Sequence, residues 1–221
     1  PSPAFEVPKP AIVGASTRPG DEDRLLAAWF HLPEPRPLLI LAPRHLERTN
    51  DIEEILVDCS ASRRSEGLNP DSDVWLLDTH GELASIMSEV HIAFIGGTFD
   101  EKVGGHSPAE AWRGGAHIVH GPQTHSNPTA WEDIETHRVH TKNELIEILQ
   151  RLMRQPRPQM SPIDIECSSI LDSLPDPIYK SETYGPAILW PLVPVWNILS
   201  RMVRRIQGSS DESQFVVVGG L

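Results

Sequence analysis

The chain has 221 residues, 39% of them apolar and 23% charged, which fits a soluble globular fold of one large domain or a domain with a tail. Nineteen basic against 31 acidic residues give a formal net charge of -12, which argues against a nucleic-acid binder. Two cysteines, Cys59 and Cys167, are too few for a disulfide framework and lack metal-ligand spacing, so a reducing compartment is the default.

Short apolar runs alternate with amphipathic stretches from Ala11 to Arg154. Ala11 to Ala15 reads as a buried strand, and Asp21 to His31 as a helix with Leu25, Leu26, Trp29 and Phe30 on one face. Leu38 to Leu41 is the next strand. Asp51 to Ser62 reads as a helix packing Ile52, Ile55 and Leu56. A third strand, Val74 to Leu77, leads to a short helix, Glu82 to Ser88, and a fourth strand runs from Ile92 to Ile95. A helix opens over Ala109 to Arg113, before a fifth strand from Ala116 to Val119. Arg138 to His140 reads as a short sixth strand, and Asn143 to Arg154 as the closing helix. This alternation predicts an α/β fold, a Rossmann-like parallel sheet covered on both faces. Ligands of such sheets bind beyond the carboxyl ends of the strands.

The loops at those ends carry the polar groups. Gly104 to Ala116 reads Gly-Gly-His-Ser-Pro-Ala-Glu-Ala-Trp-Arg-Gly-Gly-Ala. A glycine loop feeding a helix start offers backbone N–H groups to an anion, and Glu110 within the first turn can accept from sugar hydroxyls. The combination suggests a nucleotide-sugar site. Glu110 also reads as a favourable first-turn charge. Ser16 and Thr17 can donate to phosphate or cap a helix. Arg44 suits a phosphate, a carboxylate or plain solvent. Asp78 or Thr79 can cap the next helix, and Gly81 allows close backbone approach. Two glycine pairs, Gly96-Gly97 and Gly104-Gly105, are hard to explain by packing alone.

The composition changes after Arg154. Residues 155–183 read as a Pro- and Ser-rich linker. Residues 184–221 open with Ile188, Leu189, Trp190, Trp196, Ile198 and Leu199, followed by Arg201, Arg204 and Arg205. That stretch fits an interfacial membrane helix. It fits equally a core or interface helix, and Pro191 and Pro194 interrupt it. No fully apolar span is long enough to cross a bilayer. The chain opens on Pro-Ser-Pro without an initiator Met and stops on Val-Val-Val-Gly-Gly-Leu, so both ends read as cut from something longer.

Taken together, these segments resemble the C-terminal domain of 3-deoxy-D-manno-octulosonic acid (Kdo) transferase. The match lies in Gly14 to Thr17, Leu41 to Arg48, Trp75 to Leu83, Phe94 to Phe99, Gly104 to Glu110 and Gly121 to Thr124. The resemblance implies the donor half, residues 1–154, of a GT-B glycosyltransferase that moves Kdo from CMP-Kdo to a lipid A precursor in lipopolysaccharide synthesis. It implies no metal or other cofactor, and a place at the cytoplasmic face of the inner membrane. Ser16, Thr17, Gly96, Gly97, Gly104, Gly105, His106 and Ser107 should surround the donor phosphate and sugar. Arg44 and His45 should line the cleft, Gly81 and Glu82 approach the nucleotide, and Glu110 bind the ribose.

There are departures from the family pattern. Ser107 stands where Asn is usual, and Ala109-Glu110-Ala111 where Leu-Glu-Pro is. Arg18 stands where His is frequent, and His80 where Met is. The family's catalytic carboxylate lies in the N-terminal domain, so this half alone should bind donor without transferring it. A GT-B enzyme using a UDP-sugar, and a degenerate non-catalytic assembly module, are the alternatives. Residues 184–205 and 215–221 resemble the start of tetraacyldisaccharide 4′-kinase, with Gly220 in place of its Asn and the chain ending before any P-loop lysine.

Overall fold

A computed structural model describes residues 6, 7, 10–132 and 134–158. The predicted segment 184–221, its kinase-like resemblance and all but the first four residues of the predicted linker lie outside the described residues.

The elements run β1 (Ala11–Thr17), α1 (Asp21–Trp29), β2 (Leu38–Pro43), α2 (Thr49–Ile55), β3 (Ala61–Arg63), β4 (Val74–Leu76), α3 (Leu83–Ile86), β5 (Ile92–Ile95), α4 (Ala109–Gly114), β6 (His117–His120), β7 (Thr136–Arg138) and α5 (Lys142–Leu152). All strand pairs are parallel, in the order β3-β4-β2-β1-β5-β6-β7. The Rossmann-like sheet expected from the alternation is present.

Side chains alternate across the pleat, and each set finds its own cover. Ile12, Leu39, Leu41, Leu76, Phe94 and Val119 pack with Leu25, Ile52, Leu145 and Leu149 from α1, α2 and α5. Val13, Ile40, Trp75, Ala93, Ile95 and Ile118 pack with Ile86, Met87 and Ala111 from the opposite side. Both faces are therefore dry, which explains the unbroken apolar runs.

Three predicted elements are corrected. The helix expected over Asp51 to Ser62 stops at Ile55, and Ala61–Arg63 forms an edge strand instead. That strand pairs through its backbone with β4 and has no apolar run to betray it. The sixth expected strand lies at Thr136–Arg138, two residues before its predicted place. Residues 155–158 lie against the domain. Arg157 donates to the carbonyls of Ser88 and Gly114, and the Pro156 carbonyl lies 3.0 Å from His117 Nε2.

Strand order reverses between β1 and β5: the chain moves from β1 towards β2 on one side and reaches β5 on the other. The crevice beyond the carboxyl ends of these two strands is where a doubly covered parallel sheet offers its ligand site.

Candidate functional site

Two acidic residues at the start of α1 build the floor of this crevice. Asp21 Oδ2 accepts from the backbone N–H of Arg18 at 2.9 Å and of Gly97 at 2.7 Å. It thus ties the turn after β1 to the turn after β5. Burial raises the Asp21 pKa against the lowering pull of those two N–H donors. Glu22, whose side chain is 1% exposed, accepts the Thr17 hydroxyl at 2.7 Å and a two-pronged contact from Arg48 at 2.8 and 3.0 Å. The Thr17 hydroxyl, expected to serve phosphate, is buried and serves this ion pair instead. Ser16 is half-buried with φ 53°, a left-handed backbone rare outside glycine, and it turns the end of β1 over the crevice.

The glycines permit backbone to touch backbone. A Cβ at Gly96 would sit 2.4 Å from the Ser16 carbonyl oxygen and 2.6 Å from Thr17 Cα. Gly105 adopts φ 85°, and a Cβ there would meet the Gln123 carbonyl at 2.6 Å. These close approaches change the expected role of the loop. The N–H groups of Gly96, Gly97, Gly104, Gly105 and His106 all donate within the protein, to Ala15, Asp21, Asp100, Gly97 and Gly96. The loop is therefore a closed support for side chains, not a cradle of open N–H groups.

The charge in the crevice comes from side chains. Arg18 Nε donates to His106 Nε2 at 3.2 Å, and Arg18 Nη1 lies 2.7 Å from His45 Nε2. Arg44 is exposed, with its backbone N–H fixed on the Thr17 carbonyl at 3.1 Å and no hydrogen-bond or ion-pair partner for its guanidinium among the described residues. Burial, with Arg18, Arg44 and His45 close by, lowers the His106 pKa to about 4. Two permanent cations and two imidazoles thus stand at the ends of β1 and β2 and on the loop after β5. Such a set stabilises an anionic group held among them.

Past His106 the chain enters α4. Ser107 is exposed, and its Oγ accepts from the Ala109 N–H at 3.3 Å. Glu110 is exposed in the first turn and has no ion pair or hydrogen bond among the described residues, so its carboxylate is open to a ligand. The helix is six residues long and closes on Gly115 at φ 69°. Gly114 has no room for a Cβ, which would lie 2.5 Å from the Met87 carbonyl.

No family model matches the chain. It is similar to 3-deoxy-D-manno-octulosonic acid transferase of Bordetella pertussis, at 33% identity over 135 residues, covering 57% of this chain and 31% of the relative. The transferase of that name from Rickettsia bellii is 36% identical over 125 residues, 54% of this chain and 29% of the relative. That of Chlamydia muridarum is 27% identical over 161 residues, 69% of this chain and 37% of the relative. The chain spans about a third of the length of these curated relatives. Among solved structures, the C-terminal CMP-Kdo binding domain of WaaA from Acinetobacter baumannii superposes with a TM-score of 0.62 at 24% identity, covering 67% of this chain and 82% of that one. The two share the Rossmann-like fold of a parallel sheet flanked by helices.

The loop after β4 departs from what the residues suggest. Glu82, expected near the nucleotide, is held by Arg64 through contacts of 2.8 to 3.1 Å and also accepts the Thr79 hydroxyl. The Arg64 guanidinium lowers the Glu82 pKa. Glu82 therefore fixes the loop. Gly81, exposed at φ 83° with open space beside it, remains available to a ligand. Arg18 and Arg48 are absent from the expected site residues, although Arg48 ends a matched segment and Arg18 is a departure from the family pattern. The first looks like a turn residue before Pro19, and the second is one charge in a polar run.

His120, at the carboxyl end of β6, is 2% exposed and lies 2.6 Å from the Gly121 carbonyl and 3.1 Å from Thr136 Oγ1 through its two ring nitrogens. Burial lowers its pKa to about 4. The unfolded chain binds this proton near pH 6.5, so stability is fully present above that pH and is lost as pH falls towards 4. We expect chemical-denaturation stability to drop between pH 6.5 and 4, and a His120→Gln variant to lose less over the same interval. An equal drop in both proteins would remove His120 from the account.

Among the described residues no three or more His, Cys, Asp or Glu are grouped to hold a metal ion, and no helix is long and apolar enough to cross a membrane.

Proposed function

We propose that residues 11–154 form the donor-binding domain of a Kdo transferase, holding CMP-Kdo in the crevice beyond β1, β2 and β5. The observation that carries this reading is the joint placement of Arg18, Arg44, His45 and His106, with Glu110 exposed in the first turn of the helix that follows His106. The cations take the phosphate of the donor, and Glu110 accepts from the ribose hydroxyls. The similarity to Kdo transferases in sequence supports the choice of CMP-Kdo over a UDP-sugar.

In the transfer step the bond from the Kdo anomeric carbon to the CMP phosphate breaks, and negative charge grows on that phosphate. Fixed cations stabilise this charge more than they stabilise the bound donor, and so lower the barrier. On this reading Arg44 and Arg18 take that role. Ser16, Gly97, Gly105 and Ser107 shape the crevice around them, and Gly81 lies where a nucleotide can approach. The base that activates the acceptor belongs, on this reading, to a second domain, and the acceptor is a lipid A precursor at a membrane surface.

The test is calorimetric titration of the chain with CMP. Replacing Glu110 by alanine should weaken binding by about 1 to 3 kcal/mol, the worth of a hydrogen-bonded charged group. Unchanged affinity would reduce Glu110 to a first-turn charge that supports its helix.

A further inference from the structure

Arg18 contacts both histidines of the crevice, and the contacts fix more than position. A guanidinium has only donors and keeps its proton, so Nε2 of His45 and Nε2 of His106 both accept from it. A neutral imidazole that accepts at Nε2 carries its hydrogen on Nδ1. For His45 that hydrogen has an acceptor in place, since its Nδ1 lies 3.3 Å from Glu47 Oε1. For His106 the neighbouring cations and burial keep the ring neutral.

The charged and titratable groups around the pair are Arg18 and Asp21 beyond β1, Arg44 and Glu47 beyond β2, and His125, whose ring lies against Gly104. None of the carboxylates pairs with the Arg18 guanidinium: Asp21 takes its backbone N–H and Glu47 the His45 ring. Two of the five guanidinium N–H groups are spent on the rings, which leaves three.

We propose that Arg18 is a positioning residue of the crevice: it clamps His45 and His106 as neutral Nδ1–H rings and turns its remaining N–H groups to the anionic phosphate of the ligand. This rests on the donor-site reading above. The histidines then serve as struts whose Nε2 atoms aim the guanidinium.

The experiment is nitrogen-15 NMR of the imidazoles in the full 221-residue chain, joined to calorimetry with CMP, for the unaltered protein, Arg18→Gln and Arg18→Lys. Unaltered protein should show Nδ1–H at both rings. In Arg18→Gln the Nδ1–H preference should be lost at His106, while Glu47 still holds it at His45, and the His106 pKa should rise because the cation beside it is gone. Its affinity for CMP should fall roughly tenfold to hundredfold, the effect of losing a charge-assisted contact. Lysine keeps the charge but cannot bridge two rings at once, so Arg18→Lys should hold the His106 pKa low and recover only part of the affinity. Nε2–H at either ring of the unaltered protein would overturn the clamp. So would an Arg18→Gln protein with an unchanged His106 tautomer and pKa, and CMP binding left at full strength by Arg18→Gln would overturn the ligand role. The expected tautomers in a chain that binds no CMP at all would refute the donor reading, and with it that ligand role, while leaving the clamp in place.

Discussion

Replacing Arg48 by methionine should cost the domain about 3 to 5 kcal/mol, because it strands a buried carboxylate without its partner. Glu22 is 1% exposed, and Arg48 supplies two of its three contacts. The Thr17 hydroxyl alone cannot replace a guanidinium fork, so the carboxylate must take up a proton or pull water inward. For a domain of this size the loss lowers the melting temperature by roughly 6 to 20 °C. The damage should also reach the crevice, since Glu22 anchors the turn that carries Arg18. Pairing Arg48→Met with Glu22→Leu removes the stranded charge and should recover much of the stability. Thermal or urea unfolding of the two variants checks this. Equal losses in the single and the double variant would show that packing, not charge, is what Arg48 provides.

The second large effect is expected at Gly96. An alanine Cβ there would lie 2.4 Å from the Ser16 carbonyl oxygen and 2.6 Å from Thr17 Cα. Both are backbone atoms, so neither can swing aside. β5 must move away from β1, or the left-handed turn at Ser16 must open. Overpacking of this kind costs about 3 kcal/mol, at the upper end of its usual range. Gly96→Ala should therefore unfold at lower denaturant and bind CMP more weakly even when folded, because Gly97 loses its hold on Asp21. Gly20→Ala is the useful contrast. Its Cβ meets nothing within 4 Å, and only the positive φ of 88° opposes it. A Gly96→Ala protein as stable as Gly20→Ala would contradict the close-contact argument.

How much of this was legible in the sequence depends on what a residue needs in order to be read. Strands β1, β2, β4, β5 and β6 announce themselves through apolar runs, because both of their faces are buried. Ala61–Arg63 does not, because an edge strand held by backbone pairing needs no apolar side chain. The glycine pairs are legible as unusual, and their purpose is not: their N–H groups close the loop on itself. Thr17 and Glu82 show the same limit. Each has the right chemistry for a ligand, and each is taken by a partner far off in sequence or by an adjoining loop: Thr17 by the Glu22–Arg48 pair, Glu82 by Arg64. Glu110 and Arg44 have no such partner among the described residues, so the ligand roles their types suggest stand as proposals. Arg18 acquires its role only when folding brings residues 45 and 106 to either side of it.

We propose that this crevice holds a cytidine nucleotide carrying an acidic sugar. Parallel calorimetric titrations with CMP, CMP-Kdo, UDP and a UDP-sugar test it most directly. Saturable binding of CMP and CMP-Kdo is expected, with the uridine ligands much weaker. Tighter binding of the uridine ligands, or no binding of CMP, would contradict it.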